Sequence, residues 1–510
     1  MMICSRFVSI KECLLFIVIF FALNHSSFSQ QPVLRWAADA ESGAPYAFQD
    51  PKNPSHLIGF EVDLIGAISK ELGMKSQHVQ NEWDGLIPGL ERYDYECAIN
   101  GIEITEDRAE VVNFSIPYYI TFEQLVVRRS TTGVNTLSDL EGKPVGTLNS
   151  SLAERILKAK GGIDVRGYDD EDKSYKDLEL GRIEAVLIDE PVVKYYAGWN
   201  PQLKLVGQPI GEISYGIAFR KNDTILLNKV NSIILKLKNN GKLREILERW
   251  NLWNIMMASY MKDTKESNVP HTQYNKYLED KGQKIGIKGY INRYITFMPM
   301  ILQAACVTLG ISILSMVVAI LVGLMVMLLR VYSPPPFSSL AVIFVEGIRG
   351  TPLLMQLYFI YYVLPQLGLS ISPFLAAIVG LGLNYASAEA ENYRAGLFSV
   401  PRGQMEAAIS LGMTRNQALR HVILPQAIRL VIPPMTNDFI ALLKDSSLVS
   451  VITMVELTKI YNQLAGLYYD YIGMGILVAC VYLIIGLPFV KLAKRAEKYF
   501  AIDKRKIIKH

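Results

Sequence analysis

Apolar and polar positions follow two different rules along the 510 residues, and the change falls near residue 290. From Val33 to Asn254, short apolar, β-branched runs alternate with stretches whose apolar residues recur at every third or fourth position. Val33–Ala37, Cys97–Ile104, Pro144–Leu148, Ala185–Leu187 and Tyr215–Phe219 read as strands, and Gly59–Gly73 as a strand edge leading into a helix. Such alternation predicts α/β layers around largely parallel sheets. Thr224–Asn251 has the period of one long amphipathic helix. Residues 255–290 then turn polar, with Lys262–Glu266 and Glu279–Lys288, and read as a tether or as short interfacial helices.

Beyond residue 290 the apolar runs lengthen. They fall near 297–330, 351–368, 371–387, 426–443 and 472–493. A span takes about 20 apolar residues, so these predict five membrane-crossing helices. The fourth is interrupted by Pro433, Pro434, Asn437 and Asp438. At the other end Arg6 and Lys11 precede the apolar run Cys13–Leu23 and the small residues Ser27 and Ser29. That is the layout of a secretory signal, too short for an ordinary span. A signal peptide over residues 1–29 and an uncleaved signal anchor would both export the soluble domain.

Charge deepens the division. Residues 30–254 hold 26 Lys/Arg against 33 Asp/Glu, a net of −7, while the rest hold 26 against 15, a net of +11. A half-soluble, half-apolar chain is neither a free cytosolic enzyme nor a disordered polymer. Arg330, the Arg394–His421 run and the Lys491–Lys509 tail fall on one side of the five crossings. The opposite loops, near 366–371 and 459–470, contain Lys459 alone among Lys and Arg. The positive-inside rule puts the basic side, with the tail 499–510, in the cytoplasm. Residue 290 is then outside, in agreement with the exported leader. The cysteines, Cys4, Cys13, Cys97, Cys306 and Cys480, have no metal-ligand spacing, so neither a metal site nor a disulfide framework is expected.

Two charged residues stand at strand ends. Arg108 closes the run Asn100–Arg108 after a short apolar strand, where a planar guanidinium suits a carboxylate. Asp189 ends the run Ile188-Asp189-Glu190-Pro191, where an acid suits an ammonium. Together they describe a site for a zwitterion. On spacing alone, each is equally an ordinary surface ion-pair residue.

Longer stretches carry a resemblance. Gly59–Leu64, Glu82–Pro88, Gly101–Arg108 with Phe114–Tyr119, Leu137–Gly146, Gly181–Ala185 and Tyr215–Lys221 occur in the order and spacing of a known family. Residues 33–254 thereby resemble the periplasmic solute-binding proteins of polar amino acid ABC importers. The resemblance implies two lobes, about 33–117 with 212–254 and about 121–207, closing on an amino acid. The crossovers then fall near Pro117–Thr121 and Gly207–Ser214. It makes Arg108 the carboxylate clamp, Asp189 the ammonium partner, and Asn100, Gly101 and Glu103 contacts to the ligand backbone. Trp83 becomes an apolar wall, and Asn149, Ser150 and Ser151 the second-lobe turn. Two departures stand out. Glu103 lies where Ser or Thr is common, and its charge favours a basic or ammonium-rich ligand, while neutral glutamine-type ligands stay compatible with Arg108 and Asp189. The first-lobe acid falls to Asp39 or Glu41.

In the apolar half, Glu406-Ala407-Ala408, then Gly412, nine residues, and Val422-Ile423-Leu424-Pro425 resemble the EAA loop of ABC importer permeases. Glu346–Leu354 and Leu443–Ser450 extend the likeness over residues 297–498. Gly412 permits a tight turn between two short helices, and Pro425 ends the second. The expected architecture is multidomain. An exported two-lobed α/β periplasmic-binding-protein fold (30–254) leads through a linker (255–290) to an all-α transmembrane permease domain of about five helices (291–498). The coupling loop spans 403–425, and the setting is a bacterial inner membrane.

No G-x-x-x-x-G-K-[ST] phosphate loop occurs in the chain. The resemblance therefore implies ATP bound by separate ABC ATPase subunits gripping the loop, no cofactor of its own, and no nucleic-acid partner. One EAA loop implies a permease homodimer or pairing with a second permease. Tethering raises the effective concentration of the receptor at its permease. Asn384, Glu389, Asn437, Asp438 and Lys444 lie within apolar segments and require partners or a wet pathway. Asn437 and Asp438 either line that pathway or pair helices. A ligand-gated channel or amino acid receptor uses a similar binding fold but interrupts its second lobe with the pore, whereas residues 33–254 run unbroken. An enzyme on this fold needs a base–nucleophile pair beside Arg108, and none is placed there.

Overall fold

A computed structural model describes residues 32–40, 43–265, 269–282, 286–369, 371–468 and 470–500. The leader, Glu41 and the tail beyond residue 500 lie outside the described residues. The first half contains strands β1 (Val33–Ala38), β2 (Phe48–Asp50), β3 (Asn53–Ile58), β4 (Lys75–Gln80), β5 (Cys97–Ala98) and β6 (Val112–Phe114). They continue as β7 (Tyr119–Arg128), β8 (Pro144–Leu148), β9 (Asp164–Tyr168), β10 (Ala185–Asp189), β11 (Leu203–Tyr215) and β12 (Ala218–Arg220). One sheet has the order β4-β1-β5-β12-β6, a second β11-β7-β10-β8-β9, and β2 and β3 form a separate hairpin. These are the two lobes.

The sheets are mixed rather than largely parallel. β1 runs parallel to β4 and β5, and β8 parallel to β9 and β10. β12 and β7, by contrast, are antiparallel to their neighbours. Those exceptions are the strands beside the two crossings. β7 leaves the first lobe and β11 returns toward it as one antiparallel ribbon, with register shifts between Val206 and Ile213. A returning chain enters the first sheet from the opposite end.

The expected strand Cys97–Ile104 is regular only at its first two residues and pairs again, as an isolated antiparallel bridge, at Glu103 with Tyr215. After that the backbone turns through Gly101 (φ +63°), where an added Cβ would lie 2.9 Å from the Tyr46 ring. The single helix expected over Thr224–Asn251 is two, Thr224–Asn239 and Lys242–Arg249, parted at Gly241 (φ +79°).

The segment after residue 254 is no loose tether. Its helices Ile255–Met261 and Thr272–Gly282 pack on the binding lobes. Met257 is fully buried, and the buried Tyr277 packs edge-on against Phe48 while its hydroxyl donates to Tyr195 O at 2.9 Å. Arg244 meets Asp263 at 2.8 Å. Apolar residues every few positions, hidden among the charges of 255–282, make this strap part of the domain's core.

The second half is helical. A 46-residue helix, Ile287–Tyr332, packs along Pro373–Phe398, which in turn contacts Leu424–Asp445, and that helix packs on Tyr471–Phe500. Among the described residues, two helices, Lys288–Tyr332 and Tyr471–Tyr499, are long and apolar enough to cross a membrane. A third span results if Phe337–Arg349 and Leu353–Val363, bent by 108°, count as one. Five is thus not reached by length and composition. Pro373–Phe398 holds Asn384, Glu389, Glu391 and Arg394, while Leu424–Asp445 holds two internal prolines, Asn437, Asp438 and Lys444.

Candidate functional site

The lobes meet at the strand ends. Arg108 lies on the short helix Glu106–Val111, whose cap is the Thr105 hydroxyl. Its guanidinium forms an ion pair with Glu103, donates to Ser150 O at 2.9 Å, and sits 5.2 Å from the Trp83 ring centroid. Glu103 Oε1 accepts from Leu152 N at 3.0 Å, at the start of the helix Leu152–Lys160. The positive end of that helix suits a carboxylate. Trp83 Nε1 donates to Asn149 O at 3.1 Å. Arg108, Glu103 and Trp83 of the first lobe therefore grip the Asn149–Leu152 turn of the second.

Ser150 shapes this turn by adopting φ +58°, and its N–H donates to Glu154 Oε2 at 3.0 Å. Ser151 caps the following helix, accepting from Glu154 N at 3.2 Å while donating to Leu148 O. Asn100 and Gly101 hold the loop in place: Asn100 Oδ1 accepts from Asp39 N, and Gly101 N donates to Glu61 Oε1 at 2.7 Å. Asp39 accepts from Gln80 Nε2 and Trp83 N, each at 3.1 Å, so it braces its own lobe.

Asp189 is buried at the end of β10, where the Tyr215 hydroxyl donates to it and that of Tyr46 lies 3.3 Å away. Directly opposite in the β10–β7 register stands Glu123, fully buried, with neither oxygen in a hydrogen bond of acceptable geometry. Burial first, then the charge of Glu103, pushes Asp189 up to about 7. Burial and the charges of Asp189 and Glu103 also drive Glu123 well above the usual carboxylate range. Glu123, Tyr46 and Tyr215 were not singled out from the sequence. For Glu123 the available signal was a lone charge inside the strand Tyr119–Arg128, most of which is buried.

The mouth of this cleft faces the helical half. Arg92, almost buried, stacks 4.3 Å from the Tyr361 ring centroid and 5.4 Å from that of Tyr362. Lys459, only 1% exposed, places its ammonium 2.6 Å from Glu82 Oε1. Tyr468 donates to Pro51 O at 2.7 Å, Gln49 to Gln463 at 3.2 Å, and Tyr471 to Asp172. A cavity of about 430 Å³ lies between the halves, lined by Trp83 and Asn149 from the cleft rim and by Tyr358, Tyr362 and Asn462 opposite.

On the far face, Glu406 and Ala407 are exposed and Ala408 is buried on the helix Arg402–Ser410. Gly412 turns the chain with φ +86°, and Thr414 with Gln417 forms a capping box opening Arg415–Ala418. Pro425 does not end a helix. It lies at the second residue of Leu424–Asp445, directly after the π-helical turn Leu419–Ile423, so the chain stays helical through it. Asp438 accepts from Asn392 at 2.7 Å, and Asn437 reaches Glu497 only at 3.5 Å.

The pattern of the bacterial extracellular solute-binding proteins, family 3, matches residues 34–252, and that of the binding-protein-dependent transport system inner membrane component matches residues 315–498. The L-cystine-binding protein TcyJ of Escherichia coli (strain K12) is 32% identical over 209 residues, 40% of this chain and 78% of that protein. The L-cystine transport system permease protein TcyB of Bacillus subtilis (strain 168) is 34% identical over 211 residues, 40% of this chain and 90% of that protein. The glutamine transport system permease protein GlnP of Escherichia coli (strain K12) is 35% identical over 207 residues, 40% of this chain and 94% of that protein.

Proposed function

Because the chain belongs to the family 3 extracellular solute-binding proteins over residues 34–252 and to the binding-protein-dependent inner membrane components over residues 315–498, a binding and permease fusion of an amino acid ABC transporter, we propose that it captures a polar L-amino acid outside the membrane and passes it to its own permease half. Separate ATPase subunits supply the energy from the cytoplasmic face, where the C-terminus also lies. One observation carries the reading: Trp83 and Asn149, which bridge the lobes, also line the cavity facing Tyr358 and Tyr362 of the permease. Cargo released by lobe opening would enter that cavity without crossing bulk solvent.

In this reading Asp189 receives the cargo ammonium, Arg108, Glu103, Asn100, Gly101, Ser150 and Ser151 shape the carboxylate end, and Trp83 walls the side. A second permease, identical or related, completes the pathway, with Asn437 and Asp438 facing it. Calorimetric titration of the purified full chain with each of the twenty amino acids should give saturable binding of at least one polar amino acid. Asp189→Asn should weaken that binding about 30-fold or more, the usual effect of removing one partner of a buried charged contact. Twenty flat titrations would overturn the assigned cargo, and uptake that persists in ATP-depleted cells would overturn the energy source.

The coupling loop gives a separate test. An added Cβ at Gly412 meets nothing within 4 Å, so only the left-handed backbone resists substitution. Gly412→Val should cost about 1–2 kcal/mol locally, whereas asparagine tolerates the conformation. ATP-driven uptake should fall several-fold in Gly412→Val and little in Gly412→Asn, with cargo affinity unchanged in both. Equal uptake by the two variants would remove the loop's turn from the coupling mechanism.

A further inference from the structure

Two acids face each other on neighbouring strands of the second lobe. Glu123 of β7 and Asp189 of β10 are partners in the antiparallel register, 0% and 8% exposed. As bare carboxylates both are acceptors only and cannot bond one another. One proton changes that: with Glu123 as the acid, its O–H donates to Asp189 and the contact becomes a hydrogen bond. Two like charges facing each other in a buried site cannot both persist, so a shared proton is the ordinary state of such a pair.

The surroundings decide which side keeps it. Asp189 accepts from the Tyr215 hydroxyl and lies 3.3 Å from that of Tyr46. Burial drives both phenols well above their ordinary range, so they remain donors. From the first lobe, Glu103, ion-paired with Arg108, adds negative charge to both acids. Tyr175 and Glu171 of the helix Glu171–Glu179, with Tyr119 and Glu190, also stand near. Hydroxyl donors thus converge on Asp189 and steady its charged form, which leaves Glu123 the better keeper of the proton.

We propose that Glu123 serves cargo binding as a carboxylic acid, a positioning residue whose O–H donates to Asp189, and that Asp189 yields its own proton to solvent when it takes the cargo ammonium. The empty pair holds two protons below neutrality. Capture leaves one of them on Glu123, one negative charge on Asp189 and one ammonium against it, and the second proton enters solvent. Cargo is therefore taken in exchange for a proton, and affinity rises with pH until Asp189 is already ionised in the empty cleft. The pair presents a single charge to a single ammonium, while Arg108 and the Ser150–Leu152 turn keep the carboxylate end.

This inference rests on the reading of Asp189 as the ammonium partner but fails separately from it. The full chain would be titrated calorimetrically with L-arginine and L-glutamine, whose charges hold steady from pH 5 to 7.5, in paired buffers of different ionisation enthalpy. Binding should release about one proton per cargo at pH 6 and about a quarter of that at pH 7.5, and affinity should climb about tenfold from pH 5 to 6. Glu123→Gln keeps a donor toward Asp189 and should bind within about threefold of the unmodified chain at pH 7.5. Glu123→Ala removes that donor, so it should bind about tenfold more weakly and move the rise in affinity to higher pH. A merely structural role would lower the thermal midpoint of the alanine variant without moving its pH profile. Saturable binding that releases no proton at pH 6, or a glutamine variant as weak as the alanine one, would overturn the proposal and leave the importer reading in place. Silence from both probes at every pH would end it together with the polar cargo.

Discussion

Lys459→Glu should reduce uptake at least tenfold while leaving cargo affinity unchanged. Lys459 belongs to the permease half, yet its ammonium is buried against Glu82 of the binding domain, next to the cavity between them. Reversing its charge replaces this ion pair by two apposed carboxylates. Like-charge apposition costs several kcal/mol, and removing one partner of a desolvated pair commonly costs 2–5 kcal/mol. Other contacts across it, Arg92 on the Tyr361 and Tyr362 rings, Tyr468 to Pro51, Gln49 to Gln463 and Tyr471 to Asp172, are ring contacts or single hydrogen bonds that do not offset that loss. The cleft residues themselves are untouched. Whole-cell uptake and calorimetry on the same variant separate the two effects, and Glu82→Lys combined with Lys459→Glu should restore transport. Normal uptake by Lys459→Glu alone would mean that the docked arrangement plays no part in transfer.

The second large effect is a pH dependence of stability opposite to that of a salt-bridged carboxylate. Glu61 is fully buried. Its Oε1 accepts from Gly101 N and the Tyr118 hydroxyl, and its Oε2 has no partner. Burial raises it to about 8, well above the unfolded value. The folded state therefore holds a proton that the unfolded chain has already lost, so stability is greatest below the unfolded value and falls as pH rises toward 8. Asp189, pushed up to about 7, acts in the same direction. His78, lowered to about 4 by burial, opposes them below its unfolded value near 6.5, because there the unfolded chain gains the proton. The clean window is pH 6.5 to 8, over which Glu61 alone removes about 2 kcal/mol. Thermal unfolding of the binding domain within the full chain should shift downward across that window, and Glu61→Gln should reduce the shift, leaving the part due to Asp189 and Glu123. A slope unaltered by Glu61→Gln would show that the proton sits elsewhere.

Much of this was legible in the sequence because the two solvents impose different periods. Strand-and-helix alternation up to Asn254 and long apolar runs after residue 290 marked the two halves. Gly412 announced its turn. Lys459 was visible as the lone basic residue of the loops expected outside, an exception to the charge rule, but its reason lies 377 residues away in Glu82. Glu123 was hidden for a related cause. A charge within an apolar strand becomes meaningful only when the register sets it opposite Asp189. The five expected crossings are not confirmed by length and composition, which mark two helices or three among the described residues, and the helix Pro373–Phe398 runs past the apolar stretch 371–387 to take in Glu389, Glu391 and Arg394. Of the two expectations for the strap the short helices are found, but its many charges masked Met257 and Tyr277, each of which finds its place only against distant residues: Ile120 N lies 3.1 Å from Met257 Sδ, and Tyr195 O accepts from Tyr277.

That strap has a consequence for the order of synthesis. Chains fold as they emerge, N-terminal parts first. Here the receptor cannot complete its core until Tyr277 has been made, ten residues before the helix Ile287–Tyr332 begins. Closure of the receptor and entry of the first long membrane helix are thus scheduled together. A gene cut at residue 254 would encode lobes lacking two pieces of their own interior, whereas one cut after residue 282 would leave that interior whole.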